Sequence, residues 1–173
     1  MKKIILFFSL LFLVACSNNE VKYDGTLLNI AVVGGIPEIE NEKILFEIIS
    51  LEKLSGDISD VSASFDAIMI TPTKFEVASD DQFAEVYKSL EIPTIFFNAE
   101  KSHYPFVTEG LTYDTYPFDS LNNGSHTTIY LNDVKENKDD AWFYYLESEK
   151  DLDILYTDVF KQIEKLRSYS GKF

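Results

Sequence analysis

Five short blocks of the chain are apolar almost without a break: LLNIAVV (27–33), FDAIMIT (65–71), IPTIFFN (92–98), TTIYLN (127–132) and AWFYYLE (141–147). Runs this short, rich in β-branched and aromatic residues, predict strands buried on both faces of a sheet. Gly34-Gly35 ends the first run and Pro72 stops the second. Elsewhere the apolar period lengthens to three and four. In NEKILFEIISLEKLSG (41–56) apolar residues fall at 44, 45, 48, 49, 51 and 54, which predicts a helix that Pro37 precedes and Gly56 stops. DDQFAEVYKSL (80–90) places Phe83, Val86, Tyr87 and Leu90 on one helical face, with Asp80 and Asp81 at its positive end. The clearest helix is 151–167, with apolar positions 152, 155, 156, 159, 160, 163 and 166, acids in front and Lys161, Lys165 and Arg167 behind. Residues 57–64 (DISDVSAS) predict only a short edge strand, 133–140 (DVKENKDD) a solvated loop, and 99–126 no helical period at all.

Strands alternating with amphipathic helices predict an α/β fold of three layers around a mainly parallel sheet. The pieces IAVV, DAIMIT and IPTIFF, with helices between them, resemble a flavodoxin-like or receiver-like domain in architecture. Such an architecture does not fix a function. The helix due between 98 and 127 is replaced by an irregular, aromatic-rich insertion.

Open α/β sheets bind ligands beyond the carboxyl ends of their strands. The positions to test are therefore 34–38, 71–76, 98–104 and 147–149. GGIPEIE (34–40) lacks the spaced glycines of a dinucleotide fingerprint and puts carboxylates where phosphate would sit. A phospho-accepting receiver needs acids after its first strand, an Asp ending the third and a Lys ending the last. Here glycines follow the first strand, Asp66 begins its strand while Thr71 ends it, and Glu147 closes the last. No G-x-S-x-G elbow is present for a nucleophile. His103 follows a strand, with Ser102 beside it, where a hydrolase could place a base; a surface or hydrogen-bonding histidine is the plainer reading. His126 lies beside the insertion. No metal motif occurs, and the acidic pairs Asp80-Asp81 and Asp139-Asp140 suit a helix start and a solvated loop as well as weak Ca²⁺ contacts. The sequence assigns no catalytic residue, no metal ligand and no cofactor.

The N-terminus carries a different signal. Lys2 and Lys3 precede the apolar stretch Ile4–Ala15, too short for the roughly 20 residues a membrane-crossing helix needs. That pattern predicts a signal peptide. Leu13-Val14-Ala15-Cys16 then resembles the lipobox of bacterial lipoproteins. The resemblance implies export, cleavage before Cys16 and a diacylglyceryl group on the Cys16 sulfur; stable anchoring needs two or more acyl chains. The expected organisation is signal peptide 1–15, lipidated Cys16 and tether 16–25, and one α/β domain over 26–173. Nine extended residues, 17–25, would hold the domain about 30 Å from the membrane. The expected location is the extracytoplasmic face of the cell membrane. Cys16 is the one cysteine, so no internal disulfide forms.

Charge narrows the partners. The chain has 29 acidic and 15 basic residues; without residues 1–15 the basic count is 13 and the net charge −16. Nucleic acid is excluded as a partner, because its phosphates would be repelled. Lying flat on anionic lipid is equally disfavoured. Cationic ligands would be attracted, and a surface that repels its neighbours in solution is the simpler consequence.

The insertion holds the most unusual stretch, YPFVTEGLTYDTYPF (104–118), with Tyr-Pro-Phe twice. Tyr104, Phe106, Tyr113, Tyr116 and Phe118, with His103 beside them, form either a recognition platform for a sugar, peptide or protein, or a cover for the sheet where a helix is missing. Three functions follow. The chain is a lipid-anchored binding or interaction module for an envelope protein or cell-wall component. Alternatively it is a small-ligand or cation receptor at the strand-end crevice. The last is a hydrolase using His103.

Overall fold

β1 (Leu28–Val33) lies inside a sheet of six strands. β2 (Ile44–Ile48) pairs with it in parallel from Leu28↔Ile44 to Val32↔Ile48. β3 (Ala67–Ile70) pairs on its other side, and β4 (Thr94–Phe96) pairs with β3, both in parallel. β5 (Thr127–Asp133) then runs antiparallel to β4, and β6 (Lys138–Tyr144) antiparallel to β5, giving the order β2-β1-β3-β4-β5-β6. This computed structural model describes residues 21–115, 124–133, 136 and 138–169.

Helices cover both faces, so the expected three-layer α/β architecture holds. α1 (Leu51–Gly56), α2 (Ile58–Ser64), α3 (Phe75–Ala78), α4 (Asp81–Ser89) and α5 (Tyr104–Val107) cover one face. Its core joins Val33, Leu54, Val61, Ile68, Phe75, Tyr87, Phe96 and Phe106. The long helix α6 (Leu152–Tyr169) covers the other face, burying Leu155, Val159, Phe160, Ile163 and Leu166 against Ile30, Val32, Met69, Ile95 and Ile129. Each such side chain contributes about 1.5–3 kcal/mol when removed from water.

Three expectations are corrected. Residues 41–56 are not one helix: 44–48 form β2, and the helix begins only after Ser50, whose hydroxyl accepts from the Lys53 N–H at 3.2 Å. The ladder to β1 outweighs the local stripe, and Ile44, Phe46 and Ile48 suit a pleated strand. Residues 57–64 are not an edge strand but α2. Asp57 caps it by accepting from the Asp60 N–H at 3.3 Å; Ile58 and Val61 pack into the core, and Phe65 is buried just past its end. The sheet is mainly parallel, as expected, over β2, β1, β3 and β4, with β5 and β6 antiparallel at one side. β5 runs antiparallel to β4, so the chain re-enters the sheet from the end at which β4 left it, with no crossover connection. The loop expected at 133–140 is shorter, because β5 extends to Asp133 and β6 begins at Lys138.

The packed chain also begins earlier than residue 26. Tyr23 is 3% exposed and meets Phe160 edge-on at 5.9 Å. Its hydroxyl donates to the Thr26 carbonyl at 2.8 Å, and burial raises its pKa to about 12. Thr157 donates to the Val21 carbonyl at 2.9 Å, and the Thr26 N–H donates to Glu164 at 2.8 Å. The alternation Val21-Lys22-Tyr23-Asp24 is that of an extended arm docked on α6. Residues 1–20, with Cys16, lie outside the described residues.

Candidate functional site

The carboxyl ends of β1, β2 and β3 open into a crevice of about 390 Å³. That volume lies at the low end of the roughly 300–1,000 Å³ typical of small-molecule clefts. The position is a topological switch point. The chain leaves β1 to one side for β2, and leaves β2 across α1 and α2 for β3 on the other.

Glycines shape the crevice from the β1 side. Gly34 has φ +118°, and a Cβ there would stand 2.2 Å from Thr71 Oγ1 and 2.9 Å from Thr73 Oγ1. The Gly35 N–H donates to Thr71 Oγ1 at 3.0 Å, and a Cβ on Gly35 would meet open space. Thr71 thus clasps the turn, which becomes a bare stretch of backbone.

Two walls face each other across this turn. One is the end of β2 with the start of α1: Ile48, Ile49, Ser50, Leu51 and Glu52. The other is the turn Pro72–Lys74 with α3: Thr73, Lys74 and Val77. Val33, Ile49 and Leu51 are buried, whereas the rims Ile48 and Val77 are 62% and 49% exposed. Glu52 is solvent-exposed. Its own backbone N–H and the Ser50 hydroxyl hold its carboxyl below the usual range, and Lys74 adds a smaller Coulombic pull. The crevice therefore combines aliphatic surface, two hydroxyls, one cation and one anion.

Beyond β4 the chain turns sharply. Asn98 and Glu100 take left-handed φ of 53° and 55°, conformations unfavourable for residues with a Cβ. The result is a flip: both side chains point to solvent while Ala99 between them is fully buried, its N–H donating to the His126 carbonyl at 2.9 Å.

His103 is 5% exposed. Its ring lies 4.5 Å from Tyr104, 5.2 Å from Tyr130 and 6.0 Å from Phe143. Its buried Nδ1 has no hydrogen-bond partner among the described residues. Burial pushes its pKa down to about 4, weakly opposed by Asp139. Ser102 beside it is also buried, and neither residue lines the crevice. His126 stands on the other face of the sheet, edge-on to Phe97 at 5.8 Å, with Nδ1 2.9 Å from Thr127 Oγ1. Burial lowers its pKa also. The two histidines therefore form no common site.

The described aromatic residues, Tyr104, Phe106 and Tyr113, do not meet on one exposed platform. Phe106 is 1% exposed and stacks on Phe96 at 4.1 Å. Tyr113 is half-buried, 4.9 Å from Phe75, and its hydroxyl donates to the Ala99 carbonyl. Lys101 lies over the Tyr113 ring at 4.3 Å and donates to its carbonyl. The Tyr113 N–H donates to Ser79 at 2.7 Å, and the Gly110 N–H to Asp81 at 2.7 Å, tying the insertion to α3 and α4. Among the described rings of the insertion Tyr104 alone is exposed, at 44%. Tyr116 and Phe118 lie outside the described residues.

Among the described residues no group of three or more His, Cys, Asp or Glu side chains could hold a metal ion, and no helix is long and apolar enough to cross a membrane. The sequence pointed to the glycine and Thr71–Glu76 sides of the crevice. It missed Ser50 and Glu52, which a continuous helix would have placed mid-helix. Ser50 before LEKL was the available signal, since serine is a preferred N-cap. No protein-family model, curated protein sequence or solved structure matches the chain.

Proposed function

We propose that the chain is a lipid-anchored, extracytoplasmic binding domain of a bacterial envelope that holds a small ligand in the crevice beyond β1–β3. One observation carries the reading. Aliphatic surface converges with polar and charged groups where an open α/β sheet presents its binding crevice. The anchor rests on Leu13-Val14-Ala15-Cys16 behind a short apolar segment. With the arm packed from Val21, only residues 17–20 separate Cys16 from the fold. Their span is at most about 17 Å, so the domain rides close to the bilayer.

The test is a thermal-shift screen of residues 16–173 carrying Cys16→Ser. The panel holds amino acids, sugars, peptidoglycan fragments, divalent metals and cationic peptides. A ligand at one hundred times its Kd adds about 2.7 kcal/mol, a shift of several degrees. Val77→Glu, at an exposed rim, should abolish the shift without lowering the unliganded melting temperature. A shift that survives Val77→Glu places the ligand elsewhere.

A second reading is a protein partner on β6. This strand ends the sheet, and its Trp142, Phe143 and Tyr144 are half-buried while Tyr145 is 55% exposed. Edge strands with unpaired backbone accept added strands. Cross-linking from Tyr145 in intact membranes tests it: an adduct supports this reading, and its absence beside a positive ligand screen removes it.

A further inference from the structure

The crevice carries opposite charges on opposite walls, and these do not satisfy each other. Glu52 stands on α1 and Lys74 in the turn before α3. They sense each other electrostatically, yet no ion pair among the described residues joins them. Exposed branched aliphatic residues, Ile48 and Val77, flank the same space.

These features constrain what can enter. A simple anion would meet Glu52, and a simple cation would meet Lys74. An uncharged ligand would cover both charges without pairing them, and burying an unpaired charge is strongly unfavourable. A molecule with an ammonium and a carboxylate satisfies both walls, and an aliphatic group on it would cover Ile48 and Val77. The Ser50 and Thr73 hydroxyls supply further hydrogen bonds. About 390 Å³ is ample for such a molecule.

We infer that the crevice takes a zwitterionic ligand with a branched aliphatic group, of the class of an aliphatic α-amino acid, with its carboxylate toward Lys74 and its ammonium toward Glu52. The inference rests on the crevice reading above. Its test compares L-leucine with two truncated probes, isoamylamine, which lacks the carboxylate, and 4-methylpentanoate, which lacks the ammonium. Binding is followed by calorimetry and melting temperature on residues 16–173 carrying Cys16→Ser.

The expected result is that each truncated probe binds at least about tenfold more weakly than leucine, the scale of one lost charge-assisted hydrogen bond. Lys74→Met should erase the preference over isoamylamine, and Glu52→Gln the preference over 4-methylpentanoate. Both positions are exposed, so the unliganded melting temperatures should stay unchanged. If a truncated probe binds as tightly as leucine and Val77→Glu abolishes it, the crevice reading stands and the zwitterion is overturned. If leucine binding survives Val77→Glu, both fail. If none of the three binds at about 10 mM, the zwitterion is again overturned, and the wider panel decides the crevice.

Discussion

Acidification should act on the fold through His103. Between Tyr104, Tyr130 and Phe143, the ring is nearly out of water, and its Nδ1 has no partner among the described residues. A protonated imidazole presents N–H donors at both nitrogens, so protonation would add an unpaired donor and a charge to an aromatic site. The folded chain therefore keeps His103 neutral, with its pKa lowered from 6.5 to about 4 by burial. Because the unfolded chain binds the proton more readily, the contribution is whole above pH 6.5. It is lost as pH falls towards about 4, and below that the loss levels off. At about 1.4 kcal/mol for each pH unit, the full loss is about 3 kcal/mol, of which about 2 kcal/mol has gone by pH 4.5. In a domain of this size that is a fall of roughly 4–8 °C. The assay is thermal unfolding of wild type and His103→Phe at pH 7 and 4.5. Phe keeps the stacking and removes the titration, while His126 and the carboxylates stay common to both proteins. Wild type should lose about 2 kcal/mol more than the variant on acidification. Equal losses would refute the desolvated His103.

Three further outcomes follow. Gly34→Ala combines a φ of +118° with a Cβ 2.2 Å from Thr71 Oγ1, so it should cost about 2 kcal/mol or more. Gly35→Ala, which meets nothing, should stay within about 0.5 kcal/mol in denaturant titrations. Tyr113→Phe removes the hydroxyl bond to the Ala99 carbonyl and should cost about 1 kcal/mol by urea unfolding, whereas Tyr113→Ala, which also opens the contact with Phe75 and Phe106, should cost about 3 kcal/mol. Cys16→Ser should move the chain from the membrane to the soluble fraction and end its labelling by radioactive palmitate. Retained label would exclude Cys16 as the acylation site.

Much of this fold is written locally. LLNIAVV, FDAIMIT and IPTIFFN are strands because nothing in them offers a polar face, and 151–167 is a helix because its stripe is unbroken. β2 was not legible because 44, 45, 48 and 49 fit a helical stripe as well as a strand, and only pairing with β1, a long-range event, decides between them. The direction of β5 was equally hidden, since it follows from how the insertion returns to the sheet. The site divides along the same line. Gly34-Gly35 and Thr71 sit at strand ends visible in the sequence, while Ser50 and Glu52 reach the crevice only once β2 is a strand. The sequence equally left open whether the aromatic residues of 104–113 face solvent. Packing of Phe106 on Phe96 and Tyr113 on Phe75 depends on α3 and β4, which lie elsewhere in the chain.

The most direct test of crevice binding is a leucine titration followed by backbone amide NMR. The amides of Gly34, Gly35, Ser50, Glu52, Thr73 and Lys74 should move together along one saturating curve that Val77→Glu abolishes. Shifts confined to the β6 edge or to the surroundings of His126, or a titration that moves no amide, would contradict crevice binding.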